Sequence, residues 1–276
     1  MEYIQHNSMN MPALGFGTFE LKGDVARNMV EYALNIGYRH LDTAQIYDNE
    51  TEVGQGLSAS HIDRSEVFIT TKVWVDRFGR DELIASVEQS LRRLATDHVD
   101  LLLLHWPVFS EPMEATLEAL MQAQDRQLAR YIGVSNFTSQ QLQQVAKFMD
   151  ASRLHCNQVE YHPFLGQDSL MQAMRNLGVP MTAYMPLAKG RVVADPTLEE
   201  IGERYNKSAA QVALRWLLDQ NVAAIPATTR PEHARQNLDV FDFKLDAKDR
   251  EKIAALPKDV RVCNPTNLAP EWDGAS

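Results

Sequence analysis

Short apolar runs alternate along the chain with longer stretches in which apolar residues recur at helical spacing. Runs such as Phe68-Ile-Thr-Thr-Lys72 and Leu101-Leu-Leu-Leu-His105 are of strand length, whereas helices need about 10 residues or more. The pattern predicts strands over 14–17, 40–43, 67–73, 99–105, 131–134, 157–161, 180–184 and 222–226. Amphipathic helices are predicted between them, over 24–36, 80–94, 113–127, 139–149, 170–177 and 209–218. Alternation of the two kinds implies crossover units and a mainly parallel sheet. Eight such strands close an α/β fold of the (β/α)8 TIM-barrel type, with the helices coating it. Local signals mark several boundaries: Asp24 and Thr138 can cap helix starts, Gly37 and Gly178 can end helices, and Pro107 stops the strand that ends at His105.

A doubly wound dinucleotide-binding sheet is the rival architecture, because it alternates in the same way. Gly15-Phe-Gly17 is followed by Glu20 where that fingerprint requires a third glycine, so the fingerprint is missing. The 276 residues suit one barrel, and no Pro/Gly/Ser-rich linker or repeat divides them, so 1–276 is read as a single domain. With 45% hydrophobic and 23% charged residues the chain can bury a substantial core. A net charge of −10 argues against nucleic acid as a partner, since a polyanion needs a concentrated basic surface. Cys156 and Cys263 make neither a CxxC pair nor a disulfide framework, and no run approaches membrane-spanning length. The expectation is a cytoplasmic monomer that keeps its thiols reduced and acts on a small molecule.

The chemistry is concentrated at strand ends. Asp42, Lys72 and His105 each fall at the C-terminal end of a predicted strand, and Tyr47 follows Asp42 by five residues. That end of a parallel barrel is where catalytic groups collect. Reducing a carbonyl requires a proton donor and stabilisation of the developing charge on oxygen. A free tyrosine, with a pKa near ~10, is a weak donor, and a neighbouring ammonium lowers that value. Lys72 is the natural perturber of Tyr47, with Asp42 orienting Lys72 and His105 donating a hydrogen bond to the carbonyl oxygen. Each residue also has a plain structural reading: a loop cap at Asp42, an ion-pair partner at Lys72, a core histidine at His105 beside Trp106, a packing residue at Tyr47. Their joint occurrence favours the catalytic one. Lys72 could alternatively form a Schiff base, as in a barrel aldolase.

The segment Gly37-Tyr-Arg-His-Leu-Asp-Thr-Ala-Gln-Ile-Tyr-Asp-Asn-Glu50, with Lys72 and His105, resembles the aldo-keto reductase superfamily and its Asp/Tyr/Lys/His tetrad. The similarity runs from Pro12-Ala-Leu-Gly-Phe-Gly-Thr18 through Ile132-Gly-Val-Ser-Asn-Phe137, Asn157-Gln-Val-Glu-Tyr-His162 and Ala183-Tyr-Met-Pro-Leu187 to the region after Pro226. Within it the chain is most similar to the 2,5-diketo-D-gluconate and methylglyoxal reductase type. The resemblance implies NADPH-dependent reduction of small aldehydes, ketones, dicarbonyls or keto sugars by direct hydride transfer, with Tyr47 as general acid. A nucleotide-sensing barrel without catalysis is the alternative it leaves open.

The resemblance also implies a cofactor site. Ser135, Asn136 and Gln158 would hold the nicotinamide carboxamide and Tyr184 would stack on the ring, with Gly17, Thr18, Phe19, Asp42 and Leu187 nearby. Thr228, Thr229, Arg230, His233, Gln236 and Asn237 would meet the phosphates and adenine. Ala227 and His233 replace residues that are frequently basic in the family, so NADPH is expected to be preferred over NADH by a reduced margin. Taken alone, the same residues read as a capped turn (Ser135-Asn136), an interior polar group (Gln158), a core tyrosine (Tyr184) and a solvated arginine (Arg230). Phe19, Trp74, Trp106 and Trp272, with Tyr47 and His105, would wall a substrate cavity of broad specificity, and Lys189 or Arg191 could meet an anionic group. No metal is expected, because His155, His162 and His233 lack nearby ligand partners.

Overall fold

The structure is a computed structural model that describes residues 1–274. It opens with a hairpin, β1 (Tyr3–His6) and β2 (Met9–Pro12). There follow eight parallel strands: β3 (Phe16–Gly17), β4 (His40–Asp42), β5 (Phe68–Val73), β6 (Val99–Leu104), β7 (Ala129–Ser135), β8 (Leu154–Glu160), β9 (Met181–Tyr184) and β10 (Ala223–Ala224). Each pairs with the next in sequence order. Every residue of β5, β6 and β8 is buried, which is why these strands read as continuous runs rather than as alternation.

The two ends of the sheet meet. Leu14 bridges Ala224 and Gly17 bridges Ala227, both in parallel, with Gly15 N donating to Ala224 O at 2.9 Å and Gly17 N to Pro226 O at 3.0 Å. The approach requires glycine at position 15, where a Cβ would lie 2.8 Å from His40 Nδ1 and 2.9 Å from Ile225 Cγ2. The expected barrel is therefore present. The hairpin covers its N-terminal end, tied by Tyr131 Oη donating to Ser8 O (2.8 Å) and by Asn7 Nδ2 donating to Ser152 O (2.9 Å).

Ten helices are seen among the described residues: α1 (Gly23–Ile36), α2 (Glu50–Ser60), α3 (Arg80–Leu94), α4 (Met113–Asp125), α5 (Ser139–Phe148), α6 (Asp168–Leu177), α7 (Pro196–Tyr205), α8 (Ala209–Leu218), α9 (Pro231–Leu238) and α10 (Ala247–Ala254). Six coincide with predicted helices; α2, α7, α9, α10 and the hairpin were not predicted. Thr138 caps α5 in a reciprocal box with Gln141, and Gly37 and Gly178 end α1 and α6 in left-handed conformation. Asp24 is a correction: α1 is capped at Lys22 without a side-chain bond, and Asp24 sits in the first turn, where its charge faces the positive helix end.

After α10 the chain crosses the C-terminal mouth of the barrel. Val260 N donates to Phe164 O at 3.0 Å, and the buried Glu160 carboxylate accepts Val262 N (2.7 Å) and Cys263 N (2.8 Å). The tail then reaches the start of α5, where Asp273 accepts hydrogen bonds from Ser139 N (2.9 Å) and Ser139 Oγ (2.6 Å).

Candidate active site

Asp42 ends β4, Lys72 lies one residue before the end of β5, and His105 follows β6, so the barrel brings three sequence-distant residues to one mouth. Lys72 Nζ donates to Asp42 Oδ1 at 2.5 Å and to Thr43 O at 2.8 Å. The second oxygen of Asp42 accepts Gln158 Nε2 at 2.7 Å, so both carboxylate oxygens are engaged. The side chains of Lys72 and Asp42 are 1% and 2% exposed, which leaves the pair almost no solvent screening. Lys72 Nζ lies 5.1 Å from the centroid of the Tyr47 ring.

Tyr47 is carried on a short 3-10 turn, 45–47, in the connection between β4 and α2. Asn49 fixes the far side of this connection by accepting Thr43 Oγ1 (2.7 Å) and donating to Thr18 O (2.8 Å) and Leu21 O (2.9 Å). Aromatic edges surround the phenol, with ring centroids of Phe19 and His105 at 5.1 Å and 5.7 Å. Trp74 in turn meets His105 at 5.2 Å. Among the described residues His105 Nδ1 is buried without a hydrogen-bond partner, and the ring lines the cavity, where Nε2 is the nitrogen that can serve it.

Burial sets the charge states. It holds His105 well below the ordinary imidazole range, reinforced by the Lys72 charge, so the ring is neutral at neutral pH. Burial also pushes Lys72 down, opposed by the attraction and hydrogen bond of Asp42. For Tyr47 the expectation of a lowered pKa is reversed in the protein alone: burial, then the Asp42 charge, hold the phenol well above its ordinary range. The physical reason is that taking the phenol out of water disfavours its charged form and the nearby Asp42 charge adds to this, together outweighing Lys72 at 5.1 Å from the ring. Tyr47 is thus fully protonated at neutral pH, the state a proton donor requires.

These groups open onto a cavity of about 730 Å³ lined by Gly17, Phe19, Asp42, Tyr47, Trp74, His105, Trp106, Asn136, Gln158, Tyr184, Leu187, Thr228, Thr229 and His233, among others. Thr18 and Ser135 are buried behind its wall. Arg230 is exposed at the start of α9, with Nη1 3.5 Å from His233 Nε2. Gln236 is exposed and Asn237 buried on α9, and neither side chain reaches the cavity. Trp272 also stands outside the lining, packed edge-on against Trp106 at 6.3 Å and over the Arg261 guanidinium at 3.7 Å. The carboxamide-binding candidates bond one another: Tyr184 Oη donates to Asn136 Oδ1 (2.7 Å), Asn136 Nδ2 to Ser135 Oγ (3.1 Å) and Ser135 Oγ to Gln158 O (2.7 Å).

The family model described as Aldo/keto reductase family matches residues 13–258. The chain belongs to the aldo/keto reductase family. Methylglyoxal reductase DkgB of Escherichia coli O157:H7 is 40% identical over 267 residues, covering 96% of this chain and 100% of that protein. A crystal structure provisionally named as a 2,5-diketo-D-gluconic acid reductase B superposes with a TM-score of 0.97 at 46% identity, covering 99% of this chain and 98% of that one. An aldo-keto reductase of Bombyx mori, solved in complex with NADP, superposes with a TM-score of 0.89 at 33% identity, covering 95% and 94% of the two chains. This aldo/keto reductase has, among its described residues, no helix long and apolar enough to cross a membrane. The same residues contain no group of three or more His, Cys, Asp or Glu side chains placed to hold a metal.

Reasoning from sequence missed four supports of the site in this aldo/keto reductase: Gln45, Asn49, Glu160 and Cys263. Gln45 and Asn49 lie inside the tetrad segment and Glu160 inside Asn157-Gln-Val-Glu-Tyr-His162, so position within a recognised motif was the available signal. Cys263, which lines the cavity from the tail, carried none.

Proposed function

We propose that the protein reduces small aldehydes, ketones, dicarbonyls or keto sugars with NADPH, Tyr47 acting as general acid. The observation that carries this reading is the continuous chain Gln158–Asp42–Lys72 beneath Tyr47, on the wall of a cavity shared with His105. The DkgB relative's name and the NADP bound in the Bombyx mori structure support the substrate and cofactor classes.

The residues present fit a nicotinamide dinucleotide. Tyr184 lines the cavity and supplies an aromatic ring, Thr228 and Thr229 line it just before α9, and Arg230 stands at the N-terminus of that helix as a cation for phosphate. When bound, NADPH supplies the hydride. Tyr47 Oη gives its proton to the carbonyl oxygen as that oxygen gains charge, and the Lys72 ammonium stabilises the phenolate left behind. Neutral His105 donates one hydrogen bond to the same oxygen and orients it. Phe19, Trp74 and Trp106 present ring edges and faces with few directed polar groups, which suits tolerance among small carbonyl compounds. Lys72 is buried, doubly bonded and absent from the cavity surface, which weighs against a Schiff base.

The test is NADPH oxidation by the purified protein with methylglyoxal, a nitrobenzaldehyde, a β-keto ester and 2,5-diketo-D-gluconate, each repeated with NADH. Tyr47→Phe is expected to lose about 10²- to 10⁴-fold in kcat with NADPH affinity retained. Wild-type turnover in that variant would remove Tyr47 from its role, and tight NADPH binding without turnover of any substrate would favour a sensing protein.

A further inference from the structure

Gln45 spends its side-chain amide on three partners and touches none of the reacting groups. Its Oε1 accepts the backbone N–H of Trp74 at 3.0 Å. Its Nε2 donates to Ser86 Oγ at 3.1 Å and to Ser90 Oγ at 3.2 Å, one helical turn apart on the buried side of α3. The orientation is fixed without ambiguity, because a backbone N–H can only donate and must face the amide oxygen. Ser86 already donates its hydroxyl hydrogen to Leu83 O at 2.8 Å, so toward Gln45 it can only accept.

This side chain joins three parts of the site. Gln45 begins the turn that carries Tyr47, while Trp74 directly follows the strand that carries Lys72 and presents its ring to His105 at 5.2 Å. Lys72 on Thr43 O and the Asn49 bonds hold the flanks of this connection, but the turn itself has few ties. Its cap has no side-chain bond, and its own backbone supplies Tyr47 N to Ala44 O and Asp48 N to Gln45 O. Lys22 Nζ reaches Tyr47 O from the exposed side only. We infer that Gln45 is a positioning residue that sets Tyr47 against Lys72 and, through the same amide, fixes the Trp74 wall against His105. The acid and one side of the substrate cavity are thereby fastened to a single anchor on α3. The inference rests on the proposed role of Tyr47 as proton donor.

The experiment uses Gln45→Met, which keeps the length of the side chain and removes all three bonds, together with Ser90→Ala and the double variant. Gln45→Met is expected to lose on the order of 10- to 100-fold in kcat with both methylglyoxal and a nitrobenzaldehyde, the cost of a small misplacement of the acid. NADPH affinity should stay within about twofold of the parent, and the alkaline limb of the kcat–pH profile, which reports Tyr47, should move. Ser90→Ala should show a smaller loss in the same direction, and the double variant should be no worse than Gln45→Met. A folded Gln45→Met with parental kcat and pH profile would overturn the inference, as would a loss expressed only in melting temperature. Should Gln45→Met fail to fold, Ser86→Ala/Ser90→Ala tests the same anchor, and unchanged kcat there would overturn it. Parent protein and Tyr47→Phe in the same assay separate the failures. A silent parent or an active Tyr47→Phe removes the acid assignment and this inference with it, whereas an active parent, an inactive Tyr47→Phe and an undiminished Gln45→Met remove the inference alone.

Discussion

Asp42 is bonded on both oxygens: removing Lys72 leaves its buried charge uncompensated, a change that costs about 3–5 kcal/mol, whereas removing Gln158 keeps the ion pair and leaves one carboxylate oxygen without its donor. Histidines illustrate the opposite design, burial without charge. His40 is fully buried, with Nε2 3.1 Å from Thr70 Oγ1 and Nδ1 3.1 Å from Pro12 O, and burial holds it below its ordinary value of 6.5. His6, His105 and His155 are depressed for the same reason. In the unfolded chain these rings take up protons near 6.5, whereas the folded protein resists until lower pH. Stability is therefore complete above that value and declines as pH falls toward the depressed folded values. Melting temperature followed downward from neutral pH should drop in this window before carboxylates begin to titrate; a flat curve would contradict it. At this scale the tetrad was legible because ionisable residues at the ends of apolar runs are conspicuous. Gln45 was not, because a neutral amide gives no sign that its partners lie 41 and 45 positions away.

The N-terminus of α5 shows how much an element depends on its ends. Thr138 Oγ1 accepts Gln141 N, Gln141 Oε1 accepts Thr138 N, and Asp273 closes over the adjacent Ser139. Thr138→Ala is expected to cost about 1 kcal/mol, measurable by denaturant titration, and a change below about 0.3 kcal/mol would show that Asp273 compensates. Elements with strong patterns were readable in advance: the buried strands as unbroken apolar runs, and helices such as α1 and α3 by their apolar spacing. The missed elements have weak patterns for identifiable reasons. Helix α2 contains Gly54 and Gly56, poor helix formers kept because an added Cβ would lie 2.6 Å from Leu94 O and from Arg27 O. Helix α10 buries only Asp249 and Ile253, too little for a stripe. The hairpin turns at Asn7, in left-handed conformation with φ 51°, within strands only four residues long.

For the whole molecule, the eight-stranded architecture followed from the count of apolar runs, but the route of the tail did not, since its anchors are the Glu160 carboxylate and the start of α5. The closure between β3 and β10 is built from the two shortest strands, joined by the bridges at Leu14 and Gly17. Far round the sheet, β6 and β7 instead share a ladder of five paired positions. A ring with one thin joint opens there first, so amide deuterium uptake at residues 14–17 and 223–227 should exceed that of β6 and β7. The joint borders the cavity through Gly17, Ala227 and Thr228. A dinucleotide lying across these residues would act as a clasp, so saturating NADPH should slow uptake at the joint far more than elsewhere, and uniform protection would show that the ring breathes as one piece. Binding and the mechanical integrity of the barrel would then be one equilibrium, and an enzyme short of cofactor would be the form most exposed to proteolysis.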